Sequence, residues 1–411
     1  MSHFPTQGQL LLPLLRTIHE AGGQATPTEV YERLATKIDL PHWLRDLRAL
    51  AGKAGEINLW ERRVRNTRRQ AVRHGLIENE PERRRRSLWE LTAAGRDGLR
   101  NCKPGILITV FTTTLGTALL AEAETAVQFI DDKSIHLILT SPPYPLITKK
   151  AYGNKDPQSY VEWFTQLAAS WKNKLTDTGS LVINLADVFT PGSPSLSLYQ
   201  ERLLISLCDE IGYSLAQKFY WENPAKLPSP AEWVCVRRIR VTPSIEQLYW
   251  LTKSPASAIA NNRNILRPYS ESMHQRLAQG GELTSQARPS GFTFKQNAFS
   301  KDNGGSIPHN LLIASHTESN DAYKQLSRKH NLPIHPARFP NAIPETMIRF
   351  LTEENHIVWD PFAGSGVTAA VAERLGRRWI INERSLTYLR GAALRFHGNP
   401  YLNTYFDRLT A

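Results

Sequence analysis

Residues 140–144 read Thr-Ser-Pro-Pro-Tyr and follow directly on the apolar run Ile135-His136-Leu137-Ile138-Leu139. A strand ending in two prolines is held rigid and open, because each ring fixes φ and neither residue can donate an N–H. A hydroxyl stands before the pair and an aromatic ring after it. This cup suits a planar heterocycle carrying an exocyclic amine: the Ser141 hydroxyl and the Pro142 carbonyl can accept the amine hydrogens while Tyr144 stacks on the ring. An amine conjugated to such a ring is a poor nucleophile, since its lone pair is spread into the π system. Fixed acceptors that favour a more tetrahedral nitrogen restore that lone pair where attack begins, which stabilises the transition state. Ser141, Pro142, Pro143 and Tyr144 are therefore the candidate catalytic residues. No strong base stands near them in the sequence, so the amine proton is expected to leave to Ser141 or to solvent.

Such chemistry needs a second element to hold the group being transferred. Residues 357–368 read Ile-Val-Trp-Asp-Pro-Phe-Ala-Gly-Ser-Gly-Val-Thr, an apolar strand running into a loop of small residues, and a helix through Ala369–Leu375 follows. Gly364 and Gly366 let backbone approach a ligand closely and turn into that helix. The next strand, Trp379-Ile380-Ile381, ends in Asn382-Glu383, placing an acid 17 residues past Gly366. An acid there is where dinucleotide-type folds grip ribose hydroxyls. No Gly-x-x-x-x-Gly-Lys-Ser/Thr cradle occurs, which disfavours a nucleoside triphosphate.

Together these segments resemble the amino-methyltransferases of DNA, of the permuted β class in which the catalytic motif precedes the cofactor motif. The resemblance spans residues 111–411 and extends through Tyr152-Gly153-Asn154, Lys226-Leu227-Pro228-Ser229-Pro230, the stretch 300–308 and His335-Pro336-Ala337-Arg338-Phe339-Pro340. It implies an α/β fold with a Rossmann-like methyltransferase sheet in permuted motif order, and S-adenosyl-L-methionine as cofactor. Carried over residue by residue, Asp360, Pro361, Phe362, Gly364, Ser365, Gly366, Glu383, Arg338 and Phe339 are the cofactor-binding candidates. Within the family the match is with cytosine-N4 enzymes. Ser141 stands where adenine-N6 members typically carry Asp, and adenine-N6 transfer is the nearest alternative. A catalytically inactive DNA-binding regulator is disfavoured by the intact motifs, and a fused nuclease by the lack of an Asp-x(n)-Glu-x-Lys pattern. One departure concerns the family's Gly-Asp-Ser or Gly-Asp-Ala before the helix that precedes the catalytic strand. Gly116-Thr117-Ala118 takes that place, and the missing carboxylate would remove one hydrogen-bond acceptor for the cofactor's adenine.

The chain's 411 residues can bury a sizeable core in two or three domains. A formal net charge of +12 favours a polyanionic partner. The three cysteines, Cys102, Cys208 and Cys235, lack metal-ligand spacing and are too few for a disulfide scaffold. None follows a proline as a carbon-5 cytosine nucleophile would. No metal is expected. The leucine-rich run at 9–15 contains Pro13 and is followed by Arg16 and His19, so neither a signal peptide nor a membrane span is expected. A prokaryotic cytoplasmic, nucleoid-associated protein follows from this reading. The partners are duplex DNA and, with the restriction–modification context, a cognate endonuclease; a monomer or weak dimer is expected.

The first hundred residues differ from the rest. Helices are expected over 10–21, 27–36 and 59–74, strands at 76–78 and 88–92, and a tip Glu82-Arg83-Arg84-Arg85-Arg86 between those strands. Three helices and a β-wing make an N-terminal α+β winged-helix domain over 1–100, resembling the N-terminal domain of Mrr-type restriction proteins. Residues 60–100 hold twelve arginines against six acids, half of the whole chain's excess. Arg65 and Arg69 on the third helix and Arg83, Arg84, Arg85 and Arg86 at the tip are read as touching DNA, mainly at phosphates. Such a module would be removable, leaving a working catalytic domain.

A linker is expected over 101–110. The catalytic domain then runs over 111–254 with a helix at 119–130, a target-recognition region over 255–334, and the cofactor part over 335–411. Lys149 and Lys150 in the loop after Tyr144 would close over phosphates once a base has entered. Tyr220 and Trp221 read as sheet core, with the far wall of the base pocket as their alternative; Asp187 and Cys235 read as structural.

Overall fold

The computed structural model describes residues 4–50, 55–79, 88–97, 102, 104–145, 156–282, 289, 291–315, 321–338 and 340–406. Helix α1 (Gln7–Glu20) starts in a reciprocal capping box between Thr6 and Gln9, and α2 (Pro27–Lys37) in another between Thr26 and Glu29, with proline at the first helical position. Between them lies β1 (Gln24–Ala25). A short α3 (His42–Arg45) and the hairpin β2 (Arg48–Leu50)–β3 (Glu56–Asn58), not expected from the sequence, lead into α4 (Leu59–Arg73). Strand β4 (Trp89–Glu90) pairs antiparallel with β1, and α5 (Ala93–Asp97) follows. The strand expected at 76–78 amounts to one bridge, Ile77 with Leu91. The arginine tip 82–86 lies outside the described residues.

The last three residues of the expected linker, 108–110, are strand. Strand β5 (Ile108–Thr112) and antiparallel β6 (Gly116–Leu120) form a hairpin that reaches into the expected helix 119–130. The helix there is only α6 (Ala123–Ala126), extended by one 3₁₀ turn. The remaining elements alternate: β7 (Ile135–Thr140), α7 (Pro157–Lys172), β8 (Leu175–Ala186), α8 (Tyr199–Ile205), β9 (Ser214–Glu222), β10 (Ile245–Thr252), α9 (Glu271–Ala278), β11 (Leu311–Ile313), α10 (Ala322–Lys329), α11 (Ala342–Leu351), β12 (Ile357–Asp360), α12 (Val367–Arg374), β13 (Arg378–Glu383), α13 (Leu386–Ala393) and β14 (Asn403–Thr404).

Ten strands form one mixed sheet in the order β11-β9-β10-β8-β7-β12-β13-β6-β5-β14. The central five, β8 to β6, are parallel, and β10, β9, β5 and β14 join antiparallel at the flanks. The permuted order has a geometric consequence. From β7 the chain moves outward to β8, and from β12 it moves the opposite way to β13. The crevice at the carboxyl ends of β7 and β12 is thus a topological switch point, where open α/β sheets bind ligands. Apolar side chains cover both faces. Tyr160, Phe164 and Trp171 of α7 pack on one, and Ile343, Met347, Val371 and Leu389 of α11, α12 and α13 on the other. The N-terminal part is continuous with the second layer: α1 packs on β5, and its leucines share a core with Ile108, Val110 and Phe111.

Candidate active site at the switch point

Asp360, the last residue of β12, is fully buried. Its Oδ1 accepts from Thr140 Oγ1 at 2.8 Å and from Phe362 N at 3.1 Å, and its Oδ2 accepts from Thr368 Oγ1 at 2.7 Å. One carboxylate therefore ties the residue before Ser141 to the loop that starts at Pro361. Burial pushes the Asp360 carboxyl up from 3.8 to about 6, against the lowering effect of these hydrogen bonds. The folded state then binds a proton at Asp360 that the unfolded chain has released, between about pH 4 and 6, so this group's contribution to stability falls as pH rises through that window. Urea titrations at pH 4.5 and 7 should show the wild type losing more stability than Asp360→Asn, by about 2 kcal/mol, because part of the two-unit window lies below pH 4.5. Equal losses would mean that the carboxyl titrates normally.

A cavity of about 1420 Å³ opens at this point. Drug-sized ligands occupy roughly 300–1,000 Å³, so it has room for a cofactor and a nucleotide base together. Ser141, Pro142, Pro143 and Tyr144 line it, together with Asp360, Pro361, Phe362, Gly364, Ser365, Glu383 and Arg338. Gly364 has φ +50° and donates its N–H to Glu383 Oε2 at 3.1 Å. Glu383 Oε1 accepts from Ser385 N, and burial raises this carboxyl. A carboxylate offers about four acceptor sites, so Glu383 keeps capacity for ligand hydroxyls. Arg338 is held by Asp321 at 3.7 Å and lies against the Tyr323 ring.

Gly366 differs from its expectation. It does not line the cavity; a Cβ there would come 2.8 Å from Ala392 Cβ, and its φ is +70°. It serves the turn into α12 and the packing on α13. Phe339, Lys149, Lys150, Arg83, Arg84, Arg85 and Arg86 lie outside the described residues, as does Tyr152-Gly153-Asn154. Of the N-terminal arginines, Arg69 is exposed and Arg65 half-exposed, paired with Glu61 at 3.6 Å.

The missing carboxylate is also corrected. Gly116, Thr117 and Ala118 lie within β6, paired with Trp379, Ile380 and Ile381, and a Cβ on Gly116 would collide with the Trp379 ring. The residue that leaves this strand before the helix is Glu122. It lines the cavity and pairs with Arg384 at 3.4 Å. The acid is present; glycine-based alignment displaced it by a few residues.

Sequence reasoning missed the polar residues behind Tyr144. The Tyr144 hydroxyl donates to Glu246 Oε2 at 3.1 Å and accepts from Asn184 Nδ2 at 2.9 Å; Ser141 Oγ lies 2.9 Å from it. Asn184 Nδ2 also donates to Glu246 Oε2 at 2.8 Å, and Lys226 Nζ donates to Glu246 Oε1 at 2.6 Å. Burial, with the adjacent Glu246 charge, raises the Tyr144 phenol well above 10, so it stays a donor. Asn184 and Glu246 each interrupt an apolar strand, a signal that was available. Asp187, read as structural, lines the cavity with its carboxyl raised by burial, and Trp221 lines it from β9. The β9–β10 connection borders the cavity through Lys226 and Pro230 and exposes Arg237, Arg238 and Arg240.

Residues 135–394 match the family described as DNA methylase. The chain belongs to that family. Residues 8–101 of this DNA methylase match the Mrr N-terminal domain. It is 41% identical over 292 residues to the type II methyltransferase M.PvuII of Proteus hauseri, covering 70% of this chain and 86% of the relative. With the type II methyltransferase M.BglII of Bacillus subtilis it shares 24% over 282 residues, 68% of each chain. The solved structure of the PvuII DNA methyltransferase (cytosine-N4-specific) superposes with a TM-score of 0.56 at 35% identity, over 69% of this chain and 87% of that one. The sheet expected from the sequence is thus the sheet of a methyltransferase, with the permuted motif order visible in its strand connections.

Proposed function

We propose that this methylase transfers a methyl group from S-adenosylmethionine to the exocyclic N4 amine of cytosine at specific sites in duplex DNA, in a restriction–modification context. The observation that carries the reading is the Thr140–Asp360 hydrogen bond, which joins the strand end leading into Ser141–Tyr144 to the loop carrying Gly364, both lining one cavity. The walls fit the cofactor. Glu122 and Glu383 offer carboxylates to hydroxyl and amine donors, Phe362 an aromatic face, and Gly364 a backbone without a side chain. Arg338, Pro361 and Ser365 complete that side. When bound, S-adenosylmethionine supplies a methyl group already activated by its sulfonium.

The residues of the chain do the rest. An amine inside the stack is inaccessible, so the base must be turned out of the duplex. Ser141 and the Pro142 carbonyl accept the amine hydrogens, Pro143 keeps the cup rigid, and Tyr144 and Trp221 wall the base. Positioning and fixed dipoles supply most of the acceleration. The duplex is gripped by the arginine face of α4 with Arg65 and Arg69, by Arg83–Arg86, by Lys149 and Lys150, and by Arg237, Arg238 and Arg240 of the β9–β10 connection. Residues 255–334 supply target recognition, and the enzyme works with the DNA of the cytoplasm, alongside a cognate endonuclease.

Incubating unmethylated DNA with the protein and S-adenosylmethionine, then identifying nucleosides by mass, should reveal N4-methylcytosine. N6-methyladenine as the sole product would transfer the reading to adenine, and no modified base would remove it.

A further inference from the structure

We propose that Glu246 is the acceptor of the amine proton, reached through a relay from Ser141 to Tyr144. This rests on the amine-methylation reading and identifies a residue that the sequence motifs do not contain. The hydrogen-bond directions follow from proton counting. An ionised carboxylate only accepts, and a phenol has a single proton to donate. Tyr144 gives that proton to Glu246 Oε2 and accepts from Asn184 Nδ2, so Ser141 must be the donor in its hydrogen bond with Tyr144. The lone pairs of Ser141 Oγ then face the cavity, where an amine can donate to them.

Asn184 fixes the direction of the relay. Its Nδ2 donates to both Tyr144 and Glu246, an orientation enforced by the carboxylate, which would repel the amide oxygen. Asn184 lines the cavity, and its Oδ1 is buried with no hydrogen-bond partner among the described residues. A buried acceptor left unmade costs about 1–3 kcal/mol, so this orientation of the amide is held by the two hydrogen bonds that Nδ2 donates. Lys226 Nζ, 2.6 Å from Glu246 Oε1, is the cation that faces this carboxylate from the β9–β10 connection.

The step balances. The amine lone pair becomes the new nitrogen–carbon bond, and the carbon–sulfur pair returns to sulfur. The nitrogen, now cationic, releases its proton to Ser141 Oγ as the serine proton passes to Tyr144 and the tyrosine proton to Glu246. Glu246 later loses its proton to solvent. Ser141 touches the amine and is catalytic; Tyr144 acts both on the base and in the relay; Glu246 acts through them.

Single-turnover transfer at saturating DNA and cofactor, followed across pH, tests this. Glu246→Gln and Tyr144→Phe should each slow transfer by about 100-fold or more, in the range of general acid–base contributions. The double variant should be no slower than the worse single one, with Kd for DNA and cofactor unchanged. The wild-type rate should fall on the acid side, and this limb should vanish in Glu246→Gln. Wild-type rates in Tyr144→Phe or Glu246→Gln, a loss explained by weaker binding, or an acid limb that persists in Glu246→Gln would overturn the relay. A wild type that methylates nothing would overturn the amine-methylation reading instead.

Discussion

Gly364→Val should abolish S-adenosylmethionine binding in a protein that still folds. Gly364 has φ +50° and sits on the cavity wall, where a Cβ would lie 2.8 Å from His335 Cε1. A β-branched residue resists that φ, and the loop would have to move to relieve both strains. Moving it breaks the hydrogen bond from Gly364 N to Glu383 and redirects a carboxylate that lines the cavity. Loss of this wall should raise Kd by roughly 100-fold or more, equivalent to about 2.7 kcal/mol. Calorimetric titration of a variant with a native circular dichroism spectrum measures it, and unchanged affinity would place the cofactor elsewhere. Gly366→Val should act differently. Its Cβ meets Ala392 behind the wall, so its main effect should be a lower Tm.

The residues legible in the sequence are those where local chemistry and local structure coincide. Thr140–Tyr144 and Asp360–Gly366 each combine a buried apolar strand with prolines or glycines that end it, and both strands occur where the pattern places them. The same logic misplaced the third carboxylate. Gly116 resembles a loop glycine, yet it is a strand residue kept small by Trp379, which lies more than two hundred residues away in the chain. The proton relay was hidden for a related reason. Asn184 and Glu246 are 62 residues apart, and only the pairing of β8 with β10, which sets Glu246 opposite Ala186 and Leu248 opposite Asn184, brings them onto one face. Long-range pairing decides which polar interruption of a strand becomes a partner of Tyr144.

The composition of the first hundred residues suggests a removable DNA-binding module, but its packing argues for a different result. Leu10, Leu11, Leu14 and Leu15 of α1 are fully buried in a core shared with β5, and Gln9 Nε2 donates to the Tyr405 hydroxyl at 2.9 Å near the far end of the chain. Deleting residues 1–100 would strip these leucines from the core they share with Ile108 and Val110, now buried. Each large apolar side chain returned to water costs about 1.5–3 kcal/mol, and a domain's whole stability is about 5–15 kcal/mol. The deletion should therefore yield an aggregating or unfolded protein. Charge neutralisation separates DNA binding from folding. Arg62, Arg69 and Arg73 are exposed on one face of α4 and Arg65 is half-exposed beside them, whereas Arg68 is buried against Trp89. Changing Arg62, Arg65, Arg69 and Arg73 to Gln should leave Tm nearly unchanged and weaken DNA binding at every sequence. It should also reduce the slope of log K against log salt by about 0.9 for each phosphate that is no longer neutralised. A well-folded, active deletion variant would show that the shared core is dispensable. An unchanged salt slope in the quadruple variant would show that α4 does not face the phosphates, and a change in the methylated sequence would mean that this helix reads bases.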